Sequence, residues 1–213
     1  MAATATRLLL LGAVMVFEPV NGYQIRRELL SWRVDEWAHV NPGSIYSGLA
    51  TLTRMGHLDR HDLVDGGREV AVYTSTAQGR DAFAGLWRAA AETVDLLSPL
   101  DFHTALSLLG LVDRDEALDA FTARLAALDA EVGRQADIYP EPERIPPNVH
   151  AMADLWVGLA ATEREWLVTL LGRLRAGELD LRGDEMSWAP AADDPGVQMV
   201  ADRSRYLEII RGG

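Results

Sequence analysis

The chain has neither cysteine nor lysine. The first absence removes disulfides, thiolate chemistry and cysteine-based zinc sites. It also fits a reducing cytosol, and a cytoplasmic location is expected. The second absence means that all 20 basic side chains are Arg. A genome favouring Arg and Ala codons produces this bias, whereas a specific need for guanidinium would not clear Lys from every surface position. The five His residues, His39, His57, His61, His103 and His150, show no metal-ligand spacing. No Gly-rich phosphate loop, nucleophile elbow or coherent acid/base pair occurs, so no enzyme, no cofactor and no metal site is expected. Glu163, Arg164 and Glu165 read as a solvated helix face.

Long apolar runs are scarce too. Residues 8–17, LLLLGAVMVF, are too short to span a bilayer, and no small-residue cleavage site follows them. They read as a buried first helix, and no membrane partner is expected.

What is present is an ordinary globular balance, 48% apolar and 24% charged. The net charge is −12, which argues against indiscriminate DNA binding, so its distribution matters. Residues 1–100 hold 9 Arg and 11 Asp or Glu, a net of −2; residues 101–213 hold 11 Arg and 21 acids, a net of −10. The acidity belongs to the second half.

The most informative segment is 41–58, NPGSIYSGLATLTRMGHL. It reads as a short helix capped by Asn41, with Pro42 first and Gly56 as the left-handed stop. Ile45, Leu49 and Leu52 repeat at helical spacing and mark its buried side. Ser44, Ser47, Thr51 and Arg54 line another side, where short hydroxyls permit close approach to a DNA groove and Arg reaches bases or phosphates. Tyr46 follows Ile45 and points about 100° away from it, toward solvent.

Upstream, helices are expected near 4–17 and 23–32. In the second, Ile25, Leu29 and Trp32 face inward and Gln24, Arg26, Arg27 and Glu28 face outward. Asn21-Gly22 reads as a turn. Downstream, LDRHDLV and REVAVYTS flank Asp65-Gly66-Gly67, a hairpin signal. Three helices followed by a hairpin is a winged-helix plan, with Arg68 on the wing.

A long helix is expected from Thr76, with Phe83, Leu86, Trp87, Ala90, Val94 and Leu97 as its seam and Ser98-Pro99 as its stop. The second half reads as helical. A short apolar helix spans His103 to Gly110, and another starts at Asp113-Arg114-Asp115-Glu116, a relative of the capping box. That helix carries Leu118, Phe121, Leu125, Leu128 and Val132. Residues 139–147, YPEPERIPP, form a proline-rich break. A helix near 148–176 sets Met152, Leu155, Trp156, Leu159, Trp166, Leu170 and Leu174 on one side, to pair antiparallel with its predecessor. A short helix near 197–210 closes the chain, and Trp188 has no assigned place.

Several of these residues together resemble the PadR family of transcriptional regulators. They are Asn21-Gly22-Tyr23-Gln24-Ile25, Pro42-Gly43-Ser44-Ile45-Tyr46 with Leu49, Leu52 and Gly56, then Gly67-Arg68, Tyr73-Thr74-Ser75-Thr76 and Gly79-Arg80. The likeness covers roughly residues 7–90. Ser47 stands where the family usually has Pro, and the wing carries Asp62, Asp65 and Glu69 around Arg60 and Arg68. The paired helices, with Glu165-Trp166-Leu167 late in the second, resemble the C-terminal helical domain of virulence-activator-type members.

The resemblance implies a homodimer, usually a repressor, bound to an inverted repeat of double-stranded DNA and often released by a small-molecule effector. It implies that Tyr23, Ser44 and Tyr46 face DNA, that Arg68 sits on the wing, and that the helix from Thr76 and the C-terminal helices make the dimer contacts. Trp87 is the candidate for stacking an effector, against the simpler reading of core packing.

The expected fold is mostly α: an N-terminal winged helix with its linking helix (1–98), a helical dimerisation domain (101–177) and an acidic tail (178–213). The alternative function is a winged-helix protein–protein adaptor or effector sensor with little DNA affinity.

Overall fold

The computed structural model describes residues 2–38, 40–138, 146–187, 189, 191 and 194–212. By its contacts the chain divides into two units, one of residues 1–87 with 186–213 and one of residues 88–185. The segment read in sequence as a separate acidic tail therefore contributes its last helix to the first unit.

The first unit opens with α1 (Ala2–Phe17). Leu8, Leu9, Leu10, Leu11, Ala13 and Val14 are all buried, which places the apolar run at the centre of the core. Strand β1 (Val20–Asn21) pairs with the strand through Val72 and Tyr73, a pairing not expected of an Asn21-Gly22 turn. Asn21 also caps α2 (Gly22–Ser31) in a capping box with Gln24. Ile25 and Leu29 are buried as expected, but so are Gln24 and Glu28. Gln24 is turned inward by a distant partner: its amide donates to Asp202 at 2.7 Å. Trp32 is only half-buried, and its ring lies 6.0 Å from that of Phe17. A one-turn helix, α3 (Val34–Trp37), follows.

Helix α4 spans Ser44–Arg54, two residues shorter at its start than the sequence suggests. Asn41 does not cap it. Its side-chain oxygen accepts from Gly43 N at 2.8 Å, while its carbonyl accepts from Ser44 N and Ser44 Oγ. Asn41-Pro42-Gly43 is thus a turn that feeds the helix. The stop is as expected. Gly56 has φ +74°, and His57 N and Gly56 N donate to the carbonyls of Leu52 and Thr53, a Schellman closure. Ile45, Leu49 and Leu52 are buried, and Gly48 lets α4 lie against Leu10 of α1.

The wing is the expected hairpin. Strands β2 (Leu58–Asp65) and β3 (Arg68–Ser75) run antiparallel in register from Leu58 opposite Ser75 to Asp65 opposite Arg68. Gly66 and Gly67 both take positive φ, as a two-residue hairpin turn requires. The sheet order is β1-β3-β2, so the hairpin is anchored on the entry to α2. Helix α5 (Ala77–Glu92) starts on Thr76, whose hydroxyl accepts from Gly79 N at 2.9 Å. It ends at Glu92, so Val94 and Leu97 of the expected seam fall outside the helix. Asp95 Oδ1 accepts from Leu97 N and Ser98 N, folding that stretch into a turn. The last helix, α9 (Pro195–Gly212), returns to this unit and buries Met199 and Tyr206.

In the second unit α6 (Leu100–Ser107) and a 3-10 turn at Leu109–Leu111 precede α7 (Arg114–Ile138) and α8 (Pro147–Arg175). Asp113 directs its carboxylate to Arg182, with Arg182 Nε at 2.7 Å. That hydrogen bond holds the carboxyl below its ordinary pKa. The long helices pair antiparallel: Arg114 of α7 bonds the Leu174 carbonyl at 2.6 Å, and Arg124 meets Glu163. Leu170 and Leu174 are buried as expected, together with Ala153, Ala160, Leu167 and Leu171. Met152, Leu155, Leu159 and Trp166 are not; they remain 44–59% exposed. In the first half of α8 the buried positions are the small Ala153 and Ala160, and the bulky Met152, Leu155 and Leu159 beside them are exposed.

At the heart of this unit is a charge that the sequence reading missed. Arg124 is 1% exposed, donates to Glu163 and to the Ala91 and Thr93 carbonyls, and lies 3.5 Å over the Phe102 ring. Glu163 is therefore the half-buried partner of a core guanidinium and not part of a solvated face. Trp188 and the proline-rich residues 139–145 lie outside the described residues.

Candidate nucleic-acid interface

The surface of interest is assembled from α2, α4 and the wing. The first turn of α2 presents Tyr23, 62% exposed, and α4 presents Tyr46, 47% exposed. Both are large apolar rings that the core leaves outside. Tyr46 stands over Gly22: a Cβ built there would lie 3.0 Å from its ring. The absence of a side chain at Gly22 thus lets the tyrosine lie close to the start of α2.

Tyr23, Tyr46 and Arg68 line one cleft of about 430 Å³ with Asn21, Glu69 and Tyr73. Three residues singled out on separate elements are brought together there. Arg68 is exposed beside Gly67, and no ion pair among the described residues engages it. Arg60, the other wing cation, is held by Asp62 at 2.7 Å, and this hydrogen bond raises its pKa.

The hydroxyl side of α4 continues this surface. Ser47 and Arg54 are exposed, and Ser44 and Thr51 are half-buried. Their protons are partly committed: Ser44 Oγ donates to the Asn41 carbonyl and Ser47 Oγ to the Ser44 carbonyl. Thr51 Oγ1 accepts from Arg54 Nη2 at 3.1 Å. What these serines offer outward is therefore mainly their oxygen lone pairs, with Arg54 as the mobile donor. Ser44, Ser47, Thr51 and Arg54 share one side of the helix, away from Ile45, Leu49 and Leu52.

Beside this surface runs a second cleft of about 490 Å³, where α9 meets Tyr23, Arg27, Arg68 and the wing turn. Tyr206 is 2% exposed and its hydroxyl accepts from Asn21 Nδ2 at 3.0 Å. Arg205 Nη2 reaches Asp65 and Asp202, each at 2.8 Å, and the hydrogen bond to Asp65 is the main cause of its raised pKa. Sequence reasoning found the helix but not these residues. The partner of Arg205 is 140 positions away, and no local pattern records it.

Trp87, the candidate for stacking an effector, has no exposed surface. The structure packs it in the core and leaves a ligand no face of its ring. The second unit does carry an open cleft of about 360 Å³ lined by Val94, Asp95, Leu96, Leu97, Glu131 and Trp156. Among the described residues no group of three or more His, Asp or Glu is placed to hold a metal ion, and no helix is long and apolar enough to cross a membrane.

Residues 10–85 match the model of the Transcriptional regulator PadR-like family. The span runs from the apolar core of α1 through the wing into α5. No curated protein matches the chain. One similar solved structure is Bacillus subtilis PadR in complex with operator DNA, 19% identical, covering 79% of this chain and 96% of that one at a TM-score of 0.36. Another is smu.1604c from Streptococcus mutans UA159, 16% identical, covering 78% and 98% at a TM-score of 0.36.

Proposed function

We propose that the PadR-like domain at residues 10–85 binds duplex DNA and that the chain is a transcriptional regulator, acting in the cytoplasm as a homodimeric repressor on an inverted repeat. One observation carries this reading. Tyr23, Tyr46 and Arg68, from three separate elements, line a single cleft beside the hydroxyl side of a helix whose aliphatic side is buried. Tyrosine hydroxyls and a free guanidinium suit phosphate, which sets register, while Ser44, Ser47, Thr51 and Arg54 on α4 suit base edges in the major groove.

The homodimer is supported by the stripe on α8. Met152, Leu155 and Leu159 follow three- and four-residue steps and are exposed, the pattern that seats a facing helix. A second copy supplies that helix, and its own α4 then enters a groove about 34 Å away. Repression follows from occupancy, since a dimer seated on an operator excludes other proteins from it. An effector would act through the cleft beside Trp156, because Trp87 is inaccessible.

The test is equilibrium binding of the purified chain to the DNA upstream of its own gene across a salt series. Affinity should fall steeply with salt as counterions are released. Arg68→Ala should weaken binding uniformly across sequences and reduce the salt slope by about 1 per copy; Tyr46→Ala should weaken it as well. A second reading, a winged-helix adaptor with little DNA affinity, draws on Asp59, Asp62, Asp65 and Glu69 along the wing. Absence of binding even at low salt would decide for the adaptor.

A further inference from the structure

The C-terminal helix α9 takes no part in the reading above, yet it is fastened to the elements that reading relies on. Asp202 accepts from Gln24 at 2.7 Å, Tyr206 bonds Asn21 and is buried, and Met199 packs beneath. Although the second half of the chain is acidic, α9 itself holds three Arg against two acids, and Arg203, Arg205 and Arg211 all face solvent. Arg205 is the one that touches the wing. Its guanidinium bonds Asp65, the last residue before the Gly66-Gly67 turn and the register partner of Arg68. It also holds Asp202.

We infer that α9 belongs to the duplex-facing surface and that Arg205 is a positioning residue for the wing, neutralising Asp65 so that Arg68 meets phosphate. The inference rests on the DNA-binding reading. Its logic is one of charge. The wing turn carries Asp65 opposite Arg68, so without Arg205 the two cancel where phosphate must approach. With Arg205 in place, Arg27, Arg68 and Arg205 outnumber Asp65 and Asp202 along this cleft. Two of the four wing carboxylates are then paired, Asp62 with Arg60 and Asp65 with Arg205.

The experiment is a charge cycle on the full-length chain: Arg205→Gln, Asp65→Asn and the double variant, each titrated against a duplex spanning the DNA upstream of its own gene at two salt concentrations. Arg205→Gln should weaken binding about three- to tenfold at low salt, with the deficit shrinking at high salt as screening grows. Asp65→Asn alone should bind at least as tightly as wild type. The double variant should recover most of the loss, which a merely structural role for Arg205 would not produce, because both variants break the same contact.

Unchanged or tighter binding by Arg205→Gln, or a double variant as weak as the single, overturns the inference; tighter binding would make α9 an obstruction instead. Wild-type protein that binds no duplex at low salt overturns the DNA-binding reading and this inference with it. Wild-type binding with a flat cycle overturns the inference alone.

Discussion

The two units solve the problem of charge and apolar surface in opposite ways. The first fills its centre with Leu8 to Leu11 of α1, with Trp87 also enclosed, and among the described residues buries no Arg there. Asn21, Gln24, Asp65 and Arg205 fasten pieces together at or near solvent. The second unit buries Arg124 in its centre and leaves bulky side chains of α8 outside. An element that meets a polar polymer should be rigid and polar-faced, whereas one that meets another copy of itself can leave apolar surface uncovered until assembly. Under the proposed function the first unit is the reader and the second the assembler, and that contrast is open to attack at several points.

The hardest blow is Arg124→Ala. A buried guanidinium stacked on Phe102 and bonded to Glu163 and two carbonyls leaves all of them unpaired when removed, a change that costs about 3–5 kcal/mol. Arg124→Lys should recover little, since an ammonium can neither stack flat nor reach three acceptors in a fixed fork. Hydrogen exchange should show α7 and α8 opening while α1 and the β2–β3 hairpin stay protected. Equal loss of protection in both units would erase the contrast, because it would mean that one cooperative core governs the chain.

Next in size is the exposed stripe. Leu155→Glu with Leu159→Glu places two charges on a face that is already in water, so the unfolding midpoint should shift little. Sedimentation should nevertheless show a monomer. DNA affinity should fall about a hundredfold, because the second half-site is no longer tethered to the first. A variant that stays dimeric would move the interface elsewhere and leave the exposed leucines unexplained.

How far the sequence foretold all this depends on the range of the interaction concerned. The buried run of α1, the Gly56 stop and the Gly66-Gly67 turn were legible because each is settled within a few residues, by periodicity or by a required φ. The exposure of Tyr46 followed from its offset to Ile45 in the same helix. What escaped notice depends on distant partners. Gln24 looks like part of an outer face until Asp202 of α9 is laid against it. Arg124 looks like one more surface Arg until Glu163 and the end of α5 converge on it. The spacing of the α8 stripe points to a core face throughout, which holds for Leu170 and Leu174, whereas in the first half of the helix Ala153 and Ala160 are the buried residues. Asn41 was a good cap by type, but the turn through Pro42 and Gly43 claimed its side chain first.

The gentlest test separates the two tasks of a single edge residue. Asn21 caps α2 through its oxygen, at 2.9 Å from Gln24 N, and holds α9 through its amide, at 3.0 Å from the Tyr206 hydroxyl. Asn21→Ala removes both, and urea unfolding should report a loss of about 1–2 kcal/mol. Asn21→Ser keeps a capping oxygen but is too short to reach Tyr206, so it should recover roughly half of that loss. In the serine variant, exchange should stay slow through α2 and quicken only in α9. If α2 and α9 loosen together in both variants, the cap and the tether act as one unit. The first unit would then resemble the second, with its stability concentrated in a few coupled polar contacts instead of spread over separable edges.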